Sequence, residues 1–370
     1  MMCCCGLYFS SVHRARYIWC RWCDTRVIYG VYIKMGEQTD VSDDLCIIND
    51  GVGQRAVYMR GDTVLHQGLP YVSAAVPEDF EHGMIMQSAH EGTMLHAVYT
   101  GTRFILGTNK RLSCENSRWA SRHTTFKQSF EAALSRIYPL QEDVYEWFMT
   151  TKLNPNYSYV FLVMATEEER LVAPVDTSAA GALLLATCTA PGHFMFNDSE
   201  QLLEFPRPHI VTPNSLEEVH AWLTTHPHCS GLLARTADNR TVRFSLPQYT
   251  KMLKIRGNVA NIRSRVLELL HRPDDLFQLT AIFPHLYEYA VACMSAYQRL
   301  IMAVVATVMN YATYCDGMHV DRDFIHRVHW ALNKRRHVNV DTVHDVCARC
   351  FMRLPVARKA RLLGITTTPE

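Results

Sequence analysis

Charge of either sign is scarce in this chain and almost balanced. Only 20% of the 370 residues are charged, and 37 lysines and arginines face 36 aspartates and glutamates, for a formal net charge of +1. No strong global field exists to select a partner, so fold and partner must be argued from local features. Long apolar runs are also missing. Residues 300–309 and 179–186 are apolar but far short of the ~20 residues a membrane-spanning helix needs, and they read as a buried helix and a central strand. No internal repeat and no low-complexity tract interrupts the chain. The opening Met-Met-Cys-Cys-Cys-Gly is followed by Arg14, Arg16, Arg21 and Arg26 without an apolar stretch, which reads as the lack of a secretory leader.

Cysteine, by contrast, is plentiful. Its 13 copies do not form the evenly spaced framework of a small secreted domain. The expected compartment is therefore reducing and intracellular, cytoplasmic or nuclear. S-acylation of Cys3, Cys4 and Cys5 would give weak membrane attachment, although ordinary free thiols are the plainer reading. Two CxxC pairs occur, Cys20–Cys23 and Cys347–Cys350, the second preceded by His344. His344, Cys347 and Cys350 recur every three residues, so one helix can carry all three toward a zinc ion, with Cys315 or His337 as the fourth ligand. Buried or free thiols are again the plainer alternative, and no metal is expected.

Hydrophobic residues make up 48% of the chain, enough for two domains with real cores. Residues 1–25 form a cysteine- and arginine-rich N-terminal segment. From Arg26 to Ala190, short β-branched and aromatic runs alternate with turn residues, as strands do; 26–33, 55–61, 96–101 and 157–163 are examples. Residues 126–149 show helical spacing through Phe130, Ala133, Leu134 and Ile137. Ser215 reads as the N-cap of another helix, with Glu218 at the capping-box position. Beyond residue 257 the periodicity turns helical, with Pro273 and Pro284 marking breaks. The expected fold is α+β: a core of antiparallel sheets with helices over 26–257, followed by an all-helical domain over 258–370.

Residues 86–95, Met-Gln-Ser-Ala-His-Glu-Gly-Thr-Met-Leu, carry the chemistry. Gly92 and Thr93 stand as the small residues of a Lys-x-x-Gly-Ser/Thr motif, yet the lysine position is Ala89. Further segments fall in matching order: Arg55-Ala-Val-Tyr-Met-Arg-Gly-Asp, Tyr159-Val-Phe-Leu-Val with Arg170-Leu-Val, Gly181-Ala-Leu-Leu-Leu-Ala, Ser230-Gly-Leu-Leu and Val242-Arg-Phe-Ser-Leu-Pro-Gln-Tyr. Over residues 26–257 the chain resembles the single-subunit, phage-type ATP-dependent RNA ligases. That resemblance implies a nucleotidyltransferase, ATP-grasp-like ligase core. In that family the motif lysine attacks the α-phosphorus of ATP, a strand glutamate contacts the sugar, a second glutamate helps hold the metal and two lysines neutralise phosphate. Here those positions read Ala89, Val160, Ser230, Arg243 and Ser245, and only Arg243 keeps a charge. A methyl group is no nucleophile, and without the metal carboxylate the Lewis-acid term is lost as well.

The first expectation is a catalytically degenerate, ligase-like protein that binds RNA ends or a protein partner without self-adenylylation and needs no cofactor. Its pocket candidates are Arg55, His90, Glu91, Gly92, Lys110, Arg170, Gly231 and Arg243. Basic residues suited to phosphate contact are Lys251, Lys254, Arg256, Lys334, Arg335 and Arg336. A second expectation is an active ligase using ATP and Mg through displaced groups, above all His90 or Lys110. A third is an interaction protein with no nucleic-acid role. Because ligases of this kind are common in large DNA viruses and phages, the resemblance also points to a viral source.

Overall fold

The computed structural model describes residues 44–49, 55–121, 123–196, 203–238, 240–309, 321–333, 335 and 338–367, together with the backbone of four short strands between residues 9 and 34. Those strands, β1 (Phe9–Ser10), β2 (Tyr17–Cys20), β3 (Thr25–Ile28) and β4 (Val31–Lys34), pair antiparallel in chain order. The 26–33 run, which reads as one strand in sequence, is thus divided between two. The chain forms two compact units, Met1–Pro247 and Gln248–Glu370.

The first unit is a set of antiparallel sheets with a helix on each of the two larger ones. β5 (Leu45–Ile48), β6 (Val57–Arg60) and β7 (Thr63–His66) form a three-stranded meander. Two more elements, β8 (Val72–Ala74) and β9 (Met86–Ala89), precede β10 (Gly92–Tyr99) and β11 (Phe104–Thr108). Then come β12 (Ser158–Met164), β13 (Ala182–Ala190) and β14 (His193–Met195). One five-stranded sheet runs β11-β10-β12-β13-β14. A second is completed by β15 (Ile210–Val211), β16 (Gly231–Arg235) and β17 (Thr241–Phe244), in the order β15-β9-β16-β17-β8. Only its β17–β8 pair is parallel.

Helix α1 (Phe126–Ile137) starts from a capping box in which Thr125 and Gln128 exchange side-chain and backbone hydrogen bonds. Its buried face, Phe126, Phe130, Ala133 and Leu134, packs with Leu95, Phe161 and Leu184 of the first five-stranded sheet. The helical stretch expected over 126–149 is broken, because Pro139 disfavours helical geometry at Tyr138 (φ −125°, ψ 66°). It resumes as α2 (Val144–Trp147). Helix α3 (Leu216–Thr225) covers the second sheet with Val219 and Leu223. Ser215 is its N-cap, accepting from the Glu218 N–H at 3.3 Å. The Glu218 carboxylate, however, takes the Asn214 N–H at 2.8 Å, so it serves the residue before the cap.

The second unit is all helical: α4 (Pro247–Arg256), α5 (Ile262–Leu269), α6 (Pro273–Ile282), α7 (Tyr287–Val308), α8 (Arg322–Leu332), α9 (Val340–Met352) and α10 (Val356–Leu363). Pro273 opens α6 at the first turn, where its missing N–H costs nothing. Among the described residues, one helical stretch, Pro284–Val308, is long and apolar enough to cross a membrane. Cys293, Leu300, Ile301 and Val304 within it belong to the core shared with Phe324 of α8 and Val343 and Phe351 of α9, which accounts for its composition.

A buried polar chain joins the meander to the first five-stranded sheet. Ser158 Oγ lies 2.7 Å from His66 Nδ1, His66 Nε2 lies 2.9 Å from His96 Nδ1, and His96 Nε2 lies 2.8 Å from Asn109 Oδ1. An amide oxygen can only accept, so His96 donates to Asn109. With both rings kept neutral by burial, each imidazole carries one proton, His66 donates to His96, and Ser158 donates to His66. Both rings are fully buried. Burial holds His66 well below the usual histidine range, with His96 adding to the effect. Burial also lowers His96 to about 4, with the Asn109 hydrogen bond opposing and Arg55 assisting.

This arrangement fixes the sign of an acid effect. A histidine whose folded pKa lies below its unfolded value takes up its proton in the unfolded chain first, so stability falls as pH drops from about 6.5 towards 4. His96 alone accounts for of order 3 kcal/mol across that window. Chemical denaturation at pH 7 and pH 5 is expected to show lower stability at pH 5, and His96→Gln to shrink the difference. An unchanged difference in the variant would show that the pair is not the acid-sensitive element.

Candidate functional site

The motif segment crosses from one sheet to the other. β9 ends at Ala89 in the second sheet, and Gly92 begins β10 in the first. Ala89 pairs with Gly231 across β9 and β16. Its carbonyl accepts the Ser230 N–H at 2.7 Å and the Ser230 hydroxyl at 3.2 Å. Ser245 Oγ donates in turn to the Ser230 carbonyl at 2.9 Å. Three of the five replaced positions, Ala89, Ser230 and Ser245, are therefore tied together, and their hydroxyls are engaged with backbone. Arg243 sits beside them on β17, half-buried, with its Cγ 2.8 Å from where a side chain on Gly231 would begin. Val160 is elsewhere. It is fully buried on β12 against Ala186 and Cys188, in an apolar cluster with Met94 and Phe194.

Both motif glycines are required by close approach of backbone. A Cβ at Gly92 would overlap the Val163 carbonyl, and one at Gly231 would overlap the Phe244 carbonyl and sit 2.7 Å from Ser245 Oγ.

Between Ala89 and Gly92, His90 and Glu91 are not solvated loop residues. The Glu91 carboxylate collects the N–H groups of Leu171, Val172 (2.8 Å) and Ala173 (3.0 Å), pinning that segment down. Arg170, almost fully buried, pairs with Glu167 at 2.5 Å and donates to the Val172 carbonyl at 3.2 Å. His90 Nε2 lies 3.0 Å from Ser88 Oγ and 3.9 Å from Cys229 Sγ. Its Nδ1 is enclosed without a hydrogen-bond partner among the described residues. The ring stacks on His228 at 5.9 Å and 17°, and His228 reaches Asp176 at 3.8 Å. Burial, then His228, lower His90 to about 4 against the opposing pull of Asp176. His90, Glu91, Arg170, Asp176 and His228 line a crevice of only about 10 Å³, room for roughly one water. His228, Cys229 and Asp176 escaped the sequence reading, although His226-Pro-His228-Cys229 directly precedes Ser230-Gly231.

The other candidates do not line this crevice. Lys110 is exposed on the turn after β11. Arg55 is half-buried, its guanidinium 5.3 Å from the centre of the Tyr71 ring. Lys251 and Lys254 are exposed on α4, and Arg335 is exposed beyond α8. Arg256 is a correction to the sequence reading. It is 1% exposed, donates to the Gly257 (3.1 Å) and Val259 (2.6 Å) carbonyls, and holds a chain turn instead of facing solvent. Lys334, Arg336 and Cys3–Cys5 lie outside the described residues, as do Cys23, Cys315 and His337.

The three zinc candidates of α9 face different surroundings. His344 is exposed on α9, whereas Cys347 is buried in the core and Cys350 lies 3.9 Å from the Arg327 carbonyl. Burial pushes the Cys347 thiol up to about 12, disfavouring the thiolate a metal requires. Among the described residues, no trio of histidine, cysteine or carboxylate side chains converges with metal-holding geometry.

No family model matches the chain. It is 25% identical over 237 residues to the immediate-early protein ICP-46 of Frog virus 3 (isolate Goorha), covering 58% of each chain. It is 27% identical over 203 residues to the ICP-46 homolog of Invertebrate iridescent virus 3, covering 52% of this chain and 42% of that one. The chain thus spans about half the length of the curated relatives it matches. Among solved structures, a putative ATP-dependent DNA ligase from Aquifex aeolicus aligns with a TM-score of 0.36 and 11% identity over 80% of this chain and 76% of that one. An archaeal ATP-dependent RNA ligase aligns with a TM-score of 0.38 and 10% identity, covering 79% and 67% respectively.

Replacing Gly92 with alanine is expected to cost about 2–3 kcal/mol, the penalty of forcing a methyl into a filled space. Denaturant unfolding measures it, and a loss below ~1 kcal/mol would show that the strand crossing yields.

Proposed function

We propose that this chain is a nucleic-acid-binding module on a nucleotidyltransferase-like framework, engaging RNA ends without forming a covalent adenylate. The observation that carries the reading is Ala89, a methyl group 7% exposed and bonded through its backbone to Ser230, at the place where the motif calls for an amine. Attack on the α-phosphorus of ATP needs a lone pair there. The neighbouring Ser230 and Ser245 bring hydroxyls that bond to backbone instead of charges that would hold metal or phosphate. The crevice beside them has no volume for a nucleotide. Affinity for RNA would come from exposed cations such as Lys251, Lys254 and Arg335 through counterion release. Both curated relatives are viral proteins, and the reading extends to a viral gene product acting in a reducing compartment of the infected cell.

One observation favours a second reading. His90 is held neutral and keeps an enclosed Nδ1 without a partner, so its imidazole is a nucleophile if the crevice opens to admit ATP and Mg. Lys110, exposed on its turn, is the weaker substitute.

Incubation with α-labelled ATP and magnesium or manganese is expected to leave no covalent label. A labelled band lost in His90→Ala would replace the first reading with the second. RNA retention is expected to weaken steeply with salt. Lys251→Ala, Lys254→Ala and Arg335→Ala should each lower the slope of log affinity against log salt by about one. Slopes identical to the parent protein would remove these residues from the interface.

A further inference from the structure

A second concavity shares no residue with the His90 crevice. It opens beside β11, encloses about 720 Å³ and is lined by Tyr99, Phe104, Leu106, Tyr145, Met149 and Leu153, with Arg103, Lys127, Glu115 and Glu146 also contributing. That volume falls within the range of about 300–1,000 Å³ that accommodates ligand groups. One wall is a sheet edge, since β11 is the outermost strand of its five-stranded sheet.

Successive residues of an edge strand point their backbone groups alternately inward and outward. The outward groups near the end of β11 are already used: Leu106 C=O accepts from Cys114 N–H at 2.9 Å, and Thr108 N–H donates to Arg111 C=O at 2.8 Å. By the same alternation Phe104 presents its N–H and C=O outward, into the hollow. Among the described residues no hydrogen bond takes them up. Folded proteins normally cover or charge such an edge, because it is a template for another strand. The floor next to it is aromatic and aliphatic, as the side-chain pocket of a strand-addition site must be.

Charge narrows the occupant further. Lys127 is committed to Glu115 (3.4 Å) and Glu131 (3.8 Å) and lies 4.7 Å from the Tyr145 ring centre. Arg103 is exposed immediately before Phe104, which leaves a cation at the open end of the edge.

We propose that this hollow is a docking site for an extended peptide segment of a protein partner. The segment adds antiparallel to β11 at Phe104, seats an aromatic side chain against Tyr99, Tyr145 and Met149, and carries an acidic residue beside Arg103. A compact small molecule would leave the strand edge unused.

The test is fluorescence anisotropy on the full chain with short, end-blocked peptides that alternate β-branched residues around a central tyrosine and carry an aspartate toward the Arg103 end. Saturable binding is expected. Methylating the backbone nitrogens that face β11 should weaken it about tenfold or more, since it removes main-chain hydrogen bonds. Met149→Trp, which fills the hollow, should abolish binding while a thermal melt confirms folding. The exposed Arg103→Glu substitution should reverse the preference towards peptides with lysine in place of aspartate. The proposal is overturned if no peptide saturates the protein, if N-methylated peptides bind equally well, or if an RNA oligonucleotide displaces the peptide.

Discussion

Neutrality of two buried imidazoles governs the first unit. His66 and His96 are both fully buried, and with one proton on each ring every link from Ser158 to Asn109 is satisfied. The chain they form fixes β7 against β10 and β12 and extends to the turn at Asn109, where Asn49 donates to the Asn109 carbonyl at 2.8 Å. An unsatisfied group in such a place costs about 1–3 kcal/mol, so parting any of the three elements from the others carries that penalty. The surrounding backbone leaves no slack. A Cβ at Gly68 would lie 3.0 Å from His96 Cε1, and one at Gly107 would overlap the Tyr58 hydroxyl, which already donates to Thr108 C=O at 2.8 Å.

The strand crossing around Ala89 is built in the opposite manner. There several polar side chains bind the main chain: Ser245 to Ser230, Ser230 to Ala89, and Glu91 to three consecutive amides. An anion-binding cleft needs uncommitted donors and cations held open towards a ligand. The hydroxyls of Ser230 and Ser245 are engaged with backbone, and Val160 lies in an apolar cluster on the neighbouring sheet.

What the sequence reveals and conceals follows from range. A continuous apolar run identifies a strand such as β12, because both of its faces are buried and the pattern is local. The mixed α+β order, followed by a helical C-terminal region, was legible for the same reason. The break in the 126–149 helix was also local, yet it hinges on one proline overriding good periodicity. Arg256 could not be read: its composition suggests a surface cation, and only tertiary burial against the 257–259 turn makes it structural. His66 and His96 lie 30 residues apart, and His90 and Cys229 lie 139 apart, distances at which no spacing rule operates. The His344–Cys350 triplet shows the converse, a regular interval whose members lie in different environments.

The fit of Gly92 against Val163 bears on how such chains are found. Hydrogen on that α-carbon is demanded by two polypeptide segments passing at arm's length, and the demand persists whatever chemistry the crossing once hosted or still hosts. A motif recognised through its glycines therefore reports geometry of the scaffold. Reactivity has to be judged separately, from the side chain three positions upstream.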